Sequence, residues 1–154
     1  MSGTVDAKLA SLGITLPTPV APVANYVPTV ISGNLLWVSG QISVTADGKR
    51  LTGKLGDDVD IDAGYAAARA CGINLIAQIK AALGDLDRVK RVVKLVGFVN
   101  SVPDFSDQPK VVNGASDLFA EVFGDAGRHA RSAVGVAALP FDVSVEVEAV
   151  VEIA

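Results

Sequence analysis

The sequence predicts an α+β protein: one mixed β-sheet with two helices packed on one face. Three observations predict it. Valine-rich, β-branched runs come in pairs towards both ends of the chain and singly in the middle. Helical periodicity recurs in two separate stretches between them. The resulting order, β-β-α-β-α-β-β, suits one sheet covered on one side. At 154 residues the chain has the usual length for one domain, so 1–154 is read as a single unit.

Each element has its own signal. "VDAKLASLGI" (Val5 to Ile14) has the apolar spacing of a short helix, stopped by Gly13. "TLPTPVAPVANYVPT" carries four prolines and should run extended, as an edge segment or a coil. Leu35 to Val44 is a continuous apolar stretch, read as a buried strand with an irregularity at Gly40. "TADGKRLTGKLGDD" is turn-rich, with Asp47-Gly48 its clearest turn. From Asp62 to Leu83 two apolar stripes recur at three- and four-residue spacing: Ala66, Ala70, Ile73, Ala77, and Leu75, Ile76, Ile79, Leu83. Asp60 or Asp62 can cap that helix and Gly84 can end it. Arg88 to Asn100 is a valine-rich strand, and Val111 to Gly124 a second amphipathic helix. Two strands follow, Arg131 to Leu139 and Val143 to Glu152, joined through Pro140-Phe141-Asp142. As hairpin neighbours they would set Arg131 opposite Ala149, with Glu146 roughly 10 Å further along.

Composition excludes several functions. Half the residues are hydrophobic and 19% are charged, with a mean hydropathy of +0.43. No run approaches the roughly 18 apolar residues of a membrane helix, so no membrane partner is expected and the apolar surplus points to an oligomer interface. A net charge of −4 argues against nucleic acid. The basic cluster Arg88, Lys90, Arg91 and Lys94 reads as a solvated edge. One cysteine and one histidine leave no intrachain disulfide and no Cys- or His-cluster metal site. Cys71, within the long helix pattern, reads as inert packing. The opening "MSGTVDAKLASLGITLP" lacks the n- and h-regions of a signal peptide, which makes the cytoplasm the expected location.

Catalytic motifs of the common kinds are missing: no Gly-rich phosphate loop, nucleophile elbow or H-E-x-x-H occurs. The chemistry is therefore sought on the last two strands. Alternation puts Arg131, Ala133, Gly135, Ala137 and Leu139 on one side. An arginine beside such small residues suits a carboxylate held by bidentate hydrogen bonds. On spacing alone, a strand-end arginine in a surface ion pair is the commoner reading. Glu146, Glu148 and Val150 share one face of the last strand, opposite Val145, Val147 and Ala149. His129 reads as a loop residue at the rim, with no partner visible in the sequence.

"RSAVGVAALPFDVSVEVEAV" resembles the signature of the RidA (YjgF, or L-PSP) family: Arg-Ser, a valine-rich strand, Leu-Pro, then Asp-Val and Glu-x-Glu-Ala. "NYVPTVISGNLLWVSGQISV", the long helix with its valine strand, and "VVNGASDLFAEVFG" are similar to the family's remaining segments, in the same order, from about Pro22 to Glu152. The resemblance makes residues 1–20 an N-terminal extension and implies a chorismate-mutase-like fold assembled as a homotrimer, with ligand clefts between subunits. It also implies hydrolysis of reactive 2-imino or enamine acids to 2-keto acids and ammonia, without a cofactor. A carboxylate-binding regulatory trimer is the alternative, and the family's endoribonuclease label ranks below both. Carried over by position, Arg131 would hold the substrate carboxylate and Glu146 would activate water. Tyr26, Ser39, Gly40, Asn113, Ala133 and Gly135 would line the site. The chain departs from the family where Ala133 replaces a common Cys, where Gly135 and Ala138 replace polar residues, and where "GDAGRHAR" holds one extra residue.

Overall fold

In the computed structural model, which describes residues 3–19 and 21–154, five strands form one mixed sheet accompanied by three α-helices. The strands are β1 (Thr29–Ser32), β2 (Leu35–Ile42), β3 (Val89–Asn100), β4 (Ala130–Val136) and β5 (Val145–Ile153). The helices are α1 (Thr4–Ser11), α2 (Ile61–Leu83) and α3 (Gln108–Phe123). Across the sheet the order is β1-β2-β5-β3-β4, antiparallel except for the parallel pair β3–β4.

The expected β4–β5 hairpin does not form. β3 lies between the two strands, parallel to β4 and antiparallel to β5. The reason is the helical crossover: β3 and β4 are joined through α3, and strands joined that way pair in parallel. This leaves β4 at the sheet edge, and the Pro140–Asp142 turn carries the chain past β3 to its other side. The predicted alignment survives the intervening strand, because Leu95 pairs with both Arg131 and Ala149.

Local signals explain the helices. The Asp60 carboxylate accepts the Ala63 amide at 2.8 Å and so caps α2, while Gly84 ends it at φ +76°. α2 is buried on more than one side, since it packs on the sheet and also against α3. Ala66, assigned to a core stripe, is exposed, whereas Gly64, Ala68 and Gly72 are buried. A Cβ at Gly64 would press on Val111, one at Gly72 on Leu118, and one at Gly114 would collide with the Tyr65 carbonyl. Small residues thus let α2 and α3 approach backbone to backbone. On the solvent side Tyr65 donates to Asp117 at 2.7 Å and Arg69 pairs with Glu121 at 3.4 Å. α1 borrows its cap from elsewhere: the amides of Thr4 and Val5 donate to the Asp87 carboxylate, which those bonds hold below its ordinary pKa.

The sheet has two unlike faces. Val145, Val147, Ala149, Val151 and Ile153 of β5 are buried under the helices, as alternation predicts, and Leu36, Val92, Leu95 and Val99 join them. Glu146, Glu148, Val150 and Glu152 point the other way. No helix among the described residues covers that second face, where Trp37 is 50% exposed beside Val93, Val96 and Val150 around an apolar depression of about 590 Å³. No helix among the described residues is long and apolar enough to cross a membrane.

Candidate functional site

The polar candidates gather in two places on opposite faces of the sheet. The first is built by β2, β5 and the Pro140–Asp142 turn. β2 and β5 shift register between Val38 and Gln41, the irregularity expected at Gly40. Gly40 comes so close to Glu146 that a Cβ there would overlap Oε1, so the glycine makes room for the carboxyl. Glu146 is half-buried and makes no hydrogen bond or ion pair with a described residue. Burial, with the Glu148 carboxylate second, raises its pKa above the ordinary value.

Around Glu146 lies a cleft of about 250 Å³ whose walls include Tyr26, Gly40, Gln41, Gln78 and Phe141. Ser39 is not among the cleft walls. Its hydroxyl donates to Val27 O and its amide to Pro28 O, both at 2.9 Å, which fixes the segment carrying Tyr26 against β2. Phe141 and Asp142 sit in the left-handed region at φ 56° and 57°, unusual for side-chain-bearing residues. Buried Asn100 holds this turn, its Nδ2 donating to Asp142 Oδ1 and Val143 O at 3.2 Å while its Oδ1 accepts from Lys54 Nζ at 2.6 Å. The Arg50 guanidinium lies 3.8 Å from the Phe141 ring centroid.

The second place is where β4 meets α3. Arg131 pairs with Leu95 and shares its helix-facing side. Its Nη1 donates to Asn113 Oδ1 at 2.8 Å and Ser116 Oγ at 3.1 Å, and Nη2 donates to Pro109 O at 3.4 Å. The surface ion pair does not form: Arg131 has no carboxylate partner among the described residues. Nor is His129 without partners. Gly127 O can only accept, so Nδ1 carries the proton and donates to it at 2.7 Å, leaving Nε2 to accept from Ser116 at 2.9 Å. The chain of donors thus runs from Arg131 through Ser116 and His129 to Gly127. Burial lowers the His129 pKa and the Arg131 charge adds to this, against the Gly127 bond that raises it. The imidazole is therefore neutral at neutral pH. Ala133 packs partly on the core, while Gly135 walls a separate cavity of about 310 Å³ with Ser101 and Gln108.

The structure therefore joins Arg131 to Asn113, and Glu146 to Tyr26 and Gly40, but keeps the two groups apart. In register, Arg131 and Glu146 are two strands and three residues distant, roughly 14 Å, and they face opposite sides. Cys71 is buried, its thiol contacting Val145 O, and burial pushes its pKa well up, in keeping with packing. Sequence reasoning missed Ser116, Phe141, Asn100 and Gln78. Ser116 had a readable signal, lying three residues after Asn113 on the same helix face.

One acid-lined cleft and one arginine cluster, mounted on a half-covered mixed sheet, define a chorismate-mutase-like α+β protein. More particularly, the chain belongs to the family described as "YjgF/chorismate_mutase-like, putative endoribonuclease", whose model matches residues 6–153. This bears out the resemblance carried by the motifs. Protein TCP17 of Trypanosoma cruzi is 57% identical over 99% of this chain and 96% of its own. The crystal structure of Atu1372 from Agrobacterium tumefaciens, a protein of unknown function, superimposes with a TM-score of 0.91 at 53% identity, over 97% of this chain and 92% of that one. A 2-iminobutanoate/2-iminopropanoate deaminase of Escherichia coli (strain K12) is 36% identical over 88% of this chain and 94% of its own, so the family includes such deaminases.

Proposed function

We propose that this protein is a hydrolytic deaminase of reactive 2-imino or enamine acids, working as a homotrimer in which the arginine cluster of one protomer closes the Glu146 cleft of the next. The observation that carries the proposal is the separation of two incomplete half-sites. Arg131 is held in place by Asn113 and Ser116 with no acid to satisfy it, and Glu146 stands free in a cleft on the other face. Each lacks what the other supplies. The bare apolar face beside Glu146 supports burial against further copies of the chain.

The chemistry asks little of the protein. Arg131 fixes the substrate's α-carboxylate with two parallel N–H donors. A protonated imine carbon is already electrophilic, so a water placed by Glu146 adds to it while the carboxylate takes the water's proton. In the resulting carbinolamine the Glu146 carboxyl returns that proton to the nitrogen, the C–N bond breaks as ammonia departs with its electron pair, and loss of the hydroxyl proton leaves the 2-keto acid. The contribution is mainly orientation, with the proton carried by a carboxyl whose pKa burial raises above its ordinary value. Water is the only co-reactant.

The test is release of 2-keto acid from enzymatically generated 2-aminoacrylate and 2-iminobutanoate, with Arg131→Ala alongside wild type. Deamination requires wild type to exceed the variant by roughly 100-fold or more in kcat/KM, since the anchor contributes directly to orientation. Equal rates would overturn the reading. Retained binding of a 2-keto acid without turnover would then favour a carboxylate-binding regulatory protein.

A further inference from the structure

Gln78 of α2 is 6% exposed, yet its carboxamide makes no hydrogen bond to any described residue. Of the other buried polar side chains, Ser43, Asn100 and Ser144 find partners, whereas the Ser101 hydroxyl, like the Gln78 amide, bonds no described residue. No buried side-chain nitrogen or oxygen among the described residues is sealed off without a partner, so the Gln78 amide opens onto the adjoining spaces and is free to bond whatever fills them. Gln78 meets open space on two sides. One is the Glu146 cleft. The other is a cavity of about 460 Å³, closed by Pro17 and Pro19 of the N-terminal segment and by the turn that carries Arg50. Gln41, Ile42 and Gln78 line both spaces, so the two adjoin at these residues.

The second compartment has a definite charge. Among the described residues no acidic side chain lines it, and the one cation there is Arg50, which forms no ion pair with any of them. Arg50 rests on Phe141, itself a wall of the Glu146 cleft, so the guanidinium stands at the seam of the two spaces. An apolar side chain would leave Gln78 unsatisfied, and a cationic one would meet Arg50 with no counter-charge. An anionic end satisfies both groups, taking an N–H from Gln78 and charge from Arg50.

We infer that this compartment is a side-chain pocket and that the substrate is a 2-imino acid bearing a second carboxylate at the end of its side chain. The inference rests on the deaminase reading. The α-carboxylate lies on Arg131, the imine carbon faces Glu146, and the side chain passes Gln78 towards Arg50. The N-terminal prolines then act as a wall of the pocket.

Two measurements test it, each on wild type, Gln78→Leu and Arg50→Gln. In the first, imino acids are generated in situ by amino-acid oxidases from alanine, leucine and glutamate, and kcat/KM is read as the ratio of the glutamate-derived to the alanine-derived substrate. Wild type should favour the acidic imine, and each substitution should lower that ratio by about tenfold, as expected when a site built to hydrogen-bond its substrate loses a donor. In the second, calorimetry compares binding of 2-oxoglutarate with 2-oxobutanoate, which needs no turnover, and Tm confirms that the variants fold. If wild type deaminates but shows no preference for the acidic imine, or the variants keep its ratio, the pocket assignment is overturned while the deaminase reading stands. If no imine is hydrolysed, the deaminase reading fails, and calorimetry decides the pocket alone. Tighter binding of the dicarboxylate, lost in Gln78→Leu, supports it, and equal binding in wild type overturns it.

Discussion

Burial keeps the Glu146 carboxyl protonated above its ordinary range, and the neighbouring Glu148 carboxylate adds to the effect. In an unfolded chain the same group titrates near 4.3. Between that pH and the raised folded value the native state binds more protons than the unfolded state, so stability falls as pH rises through the window. Glu146→Gln removes this titration. Relative to wild type its Tm should therefore climb from about pH 4.3 upward and then level off above the folded pKa, in thermal melts run across pH. The same substitution should erase the rise of kcat/KM with pH that ionisation of a base produces. A difference in Tm that is flat with pH would show that Glu146 is not desolvated in the folded protein. Ser116 offers a second test at this scale, because it accepts from Arg131 while donating to His129. Ser116→Ala leaves the guanidinium with Asn113 and a long bond to Pro109, and should raise KM for the imino acid by roughly tenfold, the value of one hydrogen bond to a charged group. Steady-state kinetics at fixed pH would show whether kcat stays nearly unchanged, as a role confined to positioning the anchor requires.

At the scale of elements, the sequence was most readable where the deciding forces are local. Alternation in β5 assigned Glu146 and Val145 to opposite faces, Asp60 and Gly84 bounded α2, and Gly40 marked the irregularity in β2. Strand order was not readable, because it depends on which strands a crossover helix brings together and on nothing within β4 or β5 themselves. The Pro140–Asp142 turn was opaque for the same reason: its left-handed residues are held by Asn100, some 40 residues earlier in the chain. The partners of Arg131 were half-readable, since Asn113 came with the family motif while Ser116 needed the helix face to be worked out. Asn100 is fully buried and serves Gly53, Asp142 and Val143 while accepting from Lys54. Asn100→Leu would strand several of these groups, each at about 1–3 kcal/mol. With roughly 2–4 °C of Tm per kcal/mol in a chain of this size, calorimetry should find a loss of several degrees or more. Activity should fall further than stability, because Phe141 would be freed to leave the left-handed region and open one wall of the Glu146 cleft.

The whole molecule raises the question of where its two half-sites meet. Within one chain they sit roughly 14 Å apart on opposite faces of the sheet, and neither can bend the strands to reach the other. The bare face carries half-exposed Trp37 with Val93 and Val150, an area of apolar surface better removed from water by another copy than left open. A closed ring of three heterologous contacts would bring each Arg131 to the next protomer's Glu146. Mixing tests this arrangement. Arg131→Ala and Glu146→Gln should each be nearly inactive alone. Unfolded together in equal amounts and refolded, they should form mixed rings in which a cleft is intact whenever a protomer with Arg131 precedes one with Glu146. Random assembly makes that about one cleft in four, so activity should recover to about a quarter of wild type. Refolding the two variants separately and combining them afterwards should give far less until subunits exchange. No recovery after joint refolding, with ring formation verified by sedimentation, would place both residues of each site in one chain and refute the shared cleft.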